Sequence, residues 1–167
     1  MAKLPSLLEQ IVGTWRVNSA ITSELLEKIP QKCLQAVPPA SQGRTVADQF
    51  AHMNNARVAW LRFNGVKLSR DGKRFPSSKK GLAPSRRELL AAFRASGDAI
   101  EAFLRQKLLE CGRVKMFQGS PVRWLGYLIA HESHHRGQIA LCLKQNGTKL
   151  PDTVATGTLW ATWGRMK

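Results

Sequence analysis

The run HESHHRGQI begins at His131 and places His131 and His135 four residues apart. On a helix that interval leaves the two rings about 40° apart on one face, the natural chelate for a divalent metal. His134 falls about 60° to the other side of His131, facing outward or toward a partner subunit. The first five residues also fit H-E-x-x-H, the zinc-peptidase pattern in which Glu132 would be the general base. A peptidase needs a third ligand downstream and a sheet edge to hold the peptide. Here Gln138 and Leu141 stand where the extended pattern has Gly and His, the only acid after Glu132 is Asp152 in a proline-bounded loop, and no strand is readable. The peptidase reading fails.

The remaining histidine, His52, supplies a third imidazole from the stripe Gln49, His52, Ala56, Trp60 and Phe63, which is expected to face inward. Two histidines from one helix and one from a neighbour bind a divalent metal on one side, leaving positions for water or a substrate atom. Imidazoles accept zinc, nickel, copper or iron; zinc is the first expectation, with nickel and iron as alternatives. With no carboxylate ligand such a centre keeps its full positive charge and lowers the pKa of a water or thiol bound there. Gln138, about 20° from His131 on the helical wheel, is placed to hydrogen-bond a ligand. Tyr127, one turn before His131, is placed to orient a substrate or donate a proton. Glu132 points away from the pair, which suits structural or interface use, and Gly137 permits close approach of a helix or subunit.

Four amphipathic helices must position these side chains. The first spans Leu7 to Ile29, opened by a capping box of Ser6 and Glu9 and stopped by Pro30. The second spans Val46 to Phe63, with Thr45 as N-cap, Asp48 in the first turn and Gly65 beyond its end. The third starts at a Ser85 to Glu88 capping box and ends at Gly112. The fourth starts at Ser120 with Pro121 at its first position and runs to Gln145, before Gly147. A short C-terminal helix covers Ala155 to Arg165, and Trp124, Trp160 and Trp163 either line an interface or complete the core. No alternating run or hairpin turn is present, so the fold class is all-α, a four-helix bundle in one domain over 1–167. The Asn64 to Pro84 linker has about 21 residues, far above the usual helix connection. It can return along the bundle and leave helices two and three parallel.

Charge points toward anionic partners. The chain has 167 residues, a formal net charge of +15 and a pI near 10.6. Its densest basic run, VKLSRDGKRFPSSKKGLAPSRR, covers most of the linker and the start of the third helix and carries Lys67, Arg70, Lys73, Arg74, Lys79, Lys80, Arg86 and Arg87 against one acid, Asp71. Cys33, Cys111 and Cys142 are widely spaced, which suits reduced packing residues better than disulfides or a zinc ribbon. MAKLPSLLEQ lacks the features of a signal peptide, and no apolar run reaches about 18 residues, so a cytoplasmic protein with no membrane span is expected.

Two segments carry a resemblance to a known family. TVADQFAHMNNARVAWL, with its inward histidine, and HESHHRGQI, with its H-x-x-x-H-R-G-Q pattern, resemble the DinB/YfiT-like superfamily of metalloenzymes. The likeness covers nearly the whole chain, including the long linker and the LPD stretch after the fourth helix. It implies an up-down-down-up bundle, a homodimer, and metal ligands at His52, His131 and His135. It also implies a metal-dependent transferase or isomerase that uses a low-molecular-weight thiol. The reaction class expected is thiol transfer or hydrolysis on a small, anionic electrophile attracted by the basic linker. The rival is a non-catalytic basic helical module that binds nucleic acid or an acidic protein; no helix-turn-helix, zinc finger or aromatic single-strand platform supports it.

Overall fold

The computed structural model describes residues 5–39, 43–76 and 83–165, and among these the structure is all-α, with no strand. Four long helices dominate: α1 (Leu7–Lys28), α2 (Val46–Phe63), α3 (Arg86–Leu109) and α4 (Pro121–Gln145). Single turns of 3-10 helix lie at Gln31–Gln35 and Phe117–Gly119. No helix among the described residues is long and apolar enough to cross a membrane.

Local sequence sets the starts of these helices. Thr45 and Asp48 bond each other's backbone N–H groups reciprocally, as do Ser85 and Glu88, while Ser120 accepts the Arg123 N–H beside Pro121. At α1 the expected box is half made. Ser6 accepts the Glu9 N–H, but the Glu9 carboxylate turns across to Arg105 at 2.5 Å. The end of α3 also departs from expectation: the left-handed residue is Cys111, at φ 49°, and Gly112 instead donates its N–H to the Lys107 carbonyl.

Two apolar clusters fill the interior, one around Leu25, Phe50, Phe93 and Ile139, the other around Trp15, Leu61, Ile100 and Trp124. On each long helix a buried polar or small residue falls between them: Asn18 and Thr22, Arg57, Ser96 and Gly97, Glu132. Helices α1 and α2 each pack on both α3 and α4. Along α1, Glu9 meets Arg105, Arg16 meets Glu101, and the Trp15 indole donates to the Gly97 carbonyl at 2.9 Å.

The buried face of α2 is Val46, Phe50, Met53, Asn54, Arg57, Val58 and Leu61. The expected inward stripe runs instead along its flank: Gln49 is buried, His52, Ala56 and Trp60 are half-buried, and Phe63 is exposed. The linker is anchored on α2, where Asn54 donates to the Lys73 carbonyl and Asn55 both donates to and accepts from the Phe75 backbone. Lys79 and Lys80 of the basic run lie outside the described residues. The C-terminal helical run begins earlier than expected, as an α turn at Asp152–Val154, a π segment at Ala155–Trp160 and an α segment at Ala161–Arg165. Trp124 is wholly buried core, whereas Trp160 is exposed and Trp163 partly so. Cys33 and Cys142 are buried free thiols; Cys111 is exposed, so the packing explanation does not extend to it.

Candidate metal centre

The centre is built by docking α2 onto α4, and a buried ion pair fixes how they dock. Arg57 on α2 grips Glu132 on α4 with two hydrogen bonds, Nε to Oε1 at 2.6 Å and Nη2 to Oε2 at 2.9 Å. Both side chains are almost wholly buried. The guanidinium lies over the Trp15 and Phe93 rings, 4.7 Å from each centroid, and donates further to Ser19 and the Phe93 carbonyl. Glu132 also accepts from Asn18 and Thr22, and Arg136 joins through Asn18, Thr22 and Ser133. Burial alone would raise the Glu132 pKa, but the charges and hydrogen bonds of Arg57, followed by Arg136 and Thr22, hold it below the usual carboxylate value. Gly97 is required for this packing, because a Cβ there would stand 2.8 Å from the Ser19 hydroxyl and 3.4 Å from the Arg57 guanidinium.

With the helices so fixed, His52 meets His131 and His135 at the flank. The His52 and His131 Nε2 atoms are 3.3 Å apart, and one ligand atom from each of the three residues lies within 4.8 Å of the others. Two nitrogens bound at about 2.1 Å to one zinc stand roughly 3.0–3.4 Å apart, so the spacing of the first pair fits a shared metal. His135 Nδ1 is 2.8 Å from Gln138 Oε1. With that oxygen accepting, Nδ1 carries the proton and Nε2 is left for a ligand bond. Desolvation, and then Arg44 and the other two imidazoles, push the His52 pKa down to about 4. Burial likewise lowers His131 and His135. Near neutral pH all three are unprotonated donors, the form a metal requires.

The three predicted ligands are therefore brought together, and this group of side chains could hold a metal ion. Tyr127 stacks on His131 with ring centroids 5.9 Å apart and belongs to an aromatic cluster with Trp60 and Phe117. His134 is exposed, as expected, and stays outside the group.

A family model described as the DinB family matches residues 3–166. The chain belongs to the DinB family. No curated protein matches it in sequence. In this DinB-family chain Gln138 reaches His135 rather than His131, because its side chain extends back over the preceding turn. Glu132 has the structural use foreseen for it, within the chain's own core. Gly137 does not serve close approach of another helix within the chain: a Cβ there would meet nothing within 4 Å.

The sequence reading missed Arg57, Asn18, Thr22 and Arg44. Arg57 left a signal, since Phe50, Asn54, Arg57 and Leu61 repeat at intervals of four, three and four and so put two polar residues on the most buried stripe. Asn18 and Thr22 leave the same trace, one turn apart between Trp15 and Leu25.

Proposed function

We propose that the chain is a metal-dependent enzyme of the thiol S-transferase or hydrolase type, acting on a small electrophile. The observation that carries this reading is the convergence of three unprotonated imidazoles from two helices whose docking is fixed independently by the Arg57–Glu132 pair. His52, His131 and His135 would hold a divalent transition metal, zinc first and nickel or iron as alternatives, which supplies the Lewis acidity that makes a thiol or water nucleophilic near neutral pH. The chain's own groups set the rest. Gln138 fixes the His135 tautomer. Tyr127, partly exposed beside His131, orients the electrophile and offers its hydroxyl proton to the leaving group. Trp60, Phe117 and Tyr127 shield one side of the site from water. The nucleophile in this reading is a low-molecular-weight thiol, and the electrophile is anionic, drawn in by the +15 chain.

The same proposal includes the architecture and setting: one domain, an up-down-down-up four-helix bundle, a homodimer, and a cytoplasmic location. The order of helices is supported by the pairings. Partners on α3 fall in number as α1 rises, from Arg105 to Gly97, whereas early α1 (Val12, Trp15) shares an apolar cluster with early α4 (Trp124, Leu128) and late α1 (Leu25, Leu26) with late α4 (Ile139, Leu143).

The test is metal content by elemental mass spectrometry on untagged protein. About one equivalent of a transition metal is expected, lost in His52→Ala, His131→Ala and His135→Ala. Metal retained undiminished in all three variants, or none taken up from added zinc, nickel or iron, overturns the site. In that event the +15 charge favours the second reading, a basic binding module, whose affinity for nucleic acid would fall steeply with salt and ignore the histidines.

A further inference from the structure

Beside the histidines, between the start of α2 and the second half of α4, lies a cavity of about 300 Å³ whose walls include Pro38, Arg44, Gln49, Gln138, Leu141 and Cys142. Three observations make it more than a surface dent. Gln138 is a shared wall, since it lines the cavity while its Oε1 bonds His135, so the cavity adjoins the candidate centre. Gln49 lies one turn before His52 on α2, is only 6% exposed, and has a buried Oε1 with no hydrogen-bond partner. A buried acceptor left unpaired is destabilising, and such a group in a native site calls for a ligand or an ordered water. Arg44 is exposed on the cavity wall, and its charge reaches His52, His131 and His135 alike.

The chemistry of the lining is one-sided. A guanidinium, three amide side chains (Gln49, Gln138 and Gln145) and apolar surface face the cavity, with no carboxylate among the described lining residues. A guanidinium recognises a carboxylate through paired N–H groups. The unpaired Gln49 Oε1 needs a donor nearby. One molecule satisfies both when it carries a carboxylate within a few bonds of an amide N–H.

We propose that this cavity is the subsite for the non-reacting end of the thiol or substrate: its carboxylate is taken by Arg44, its amide N–H donates to Gln49 Oε1, and its reactive end reaches past Gln138 to the histidines. This rests on the reading of the histidines as the reactive centre, but it fails separately. It also gives the anion preference a local source at the mouth of α2, in place of the diffuse charge of the linker.

The probe is N-acetylglycine, which has the carboxylate and the amide N–H but no thiol, so its binding does not require the reaction. It is titrated into the zinc-equilibrated full-length chain, followed by amide NMR shifts at constant ionic strength. Saturable shifts are expected at Gly43, Arg44, Gln49 and Gln138, with propionate and N-acetylglycinamide weaker because each lacks one of the two groups. Arg44→Ala is expected to weaken N-acetylglycine about ten-fold, the loss of one charge-assisted contact. Gln49→Leu should weaken N-acetylglycine while leaving propionate unchanged, a difference that a purely structural role would not produce. Unchanged affinity in both variants, shifts confined to another surface, or no saturable shift in the wild type overturns the subsite. Zinc content measured on the same samples separates the two readings. Zinc bound without probe binding removes the subsite alone, and probe binding without zinc removes the reactive centre alone.

Discussion

His131 and Glu132 are consecutive residues of α4, yet the helix delivers them to opposite kinds of environment. Glu132 faces the middle of the core, charged, dry and saturated by Arg57, Asn18 and Thr22. His131 faces the flank with His52 and His135, unprotonated, half-buried, and with its Nε2 turned toward the Nε2 of His52. The first region spends all its hydrogen-bonding capacity within the chain. The second gathers one potential ligand atom from each of three imidazoles within 4.8 Å at the flank. A saturated buried network specifies how helices dock, and an unsaturated one at the surface can bind something. Placing the two back to back on one helix lets the first preorganise the second, and each can be perturbed without touching the other's atoms.

The largest effect is expected at the network. Arg57→Ala leaves Glu132 buried without its main counter-charge, at a cost of ~3–5 kcal/mol. The double variant Arg57→Met with Glu132→Leu should recover much of that loss, because packed apolar side chains replace a buried pair at little cost. Urea unfolding of the single and double variants checks this. A drop below 1 kcal/mol in Arg57→Ala, or no recovery in the double variant, would mean that the pair does not hold α2 on α4. If the double variant recovers stability yet binds metal less tightly than wild type, the pair's role in aligning the histidines is separated from its role in stability.

How much of this was legible beforehand follows from the same comparison. Caps at Thr45, Ser85 and Ser120 and the left-handed glycines Gly65 and Gly147 are local signals, and they marked the helices within a few residues. The His131–His135 spacing is local too, and His52 was reachable because no other histidine remained. The network was not reached because it is a property of four helices at once: Asn18, Arg57, Gly97 and Glu132 become neighbours only after docking. The flank position of the His52 stripe was misjudged for the same reason, since polar Asn54 and Arg57 disguised the true inward face. The π segment at Ala155–Trp160 carries no sequence signal at all, and the end of α3 fell on Cys111 where a glycine stood one residue later.

A smaller effect is expected at the support of the second region. Gln138→Leu removes the bond that orients His135 while keeping a side chain of similar length. Metal affinity should fall about 10-fold or somewhat more, measured by competition with a chromophoric chelator, with urea stability changed by less than about 0.5 kcal/mol because the residue is exposed. Affinity equal to wild type would show that His135 is oriented by helix geometry alone.

The finest distinction between the two regions is in their response to acid. In the metal-free protein the folded state keeps His52 unprotonated down to about 4, while an unfolded imidazole takes its proton near 6.5. Above that upper value neither state binds the proton, so His52 contributes no slope. As pH falls through the interval the unfolded state binds more protons, and stability declines until the folded imidazole also protonates. His131 and His135, lowered in the same direction, add to the decline. The Glu132 pKa is held below the ordinary carboxylate value of 4.5, so its contribution is intact through most of that interval and is lost only at more acid pH. Between about pH 6.5 and 4.5 the loss therefore comes from the histidine flank while the core network stays whole. Urea midpoints of metal-free wild type and His52→Gln across this range should converge as pH falls, since the variant lacks one of the groups that the unfolded state protonates. Parallel curves would show that His52 is not held unprotonated by its surroundings. Saturating zinc should steepen the wild-type slope toward the acid end of this range, because bound metal keeps the folded imidazoles unprotonated where the metal-free ones would begin to take up protons.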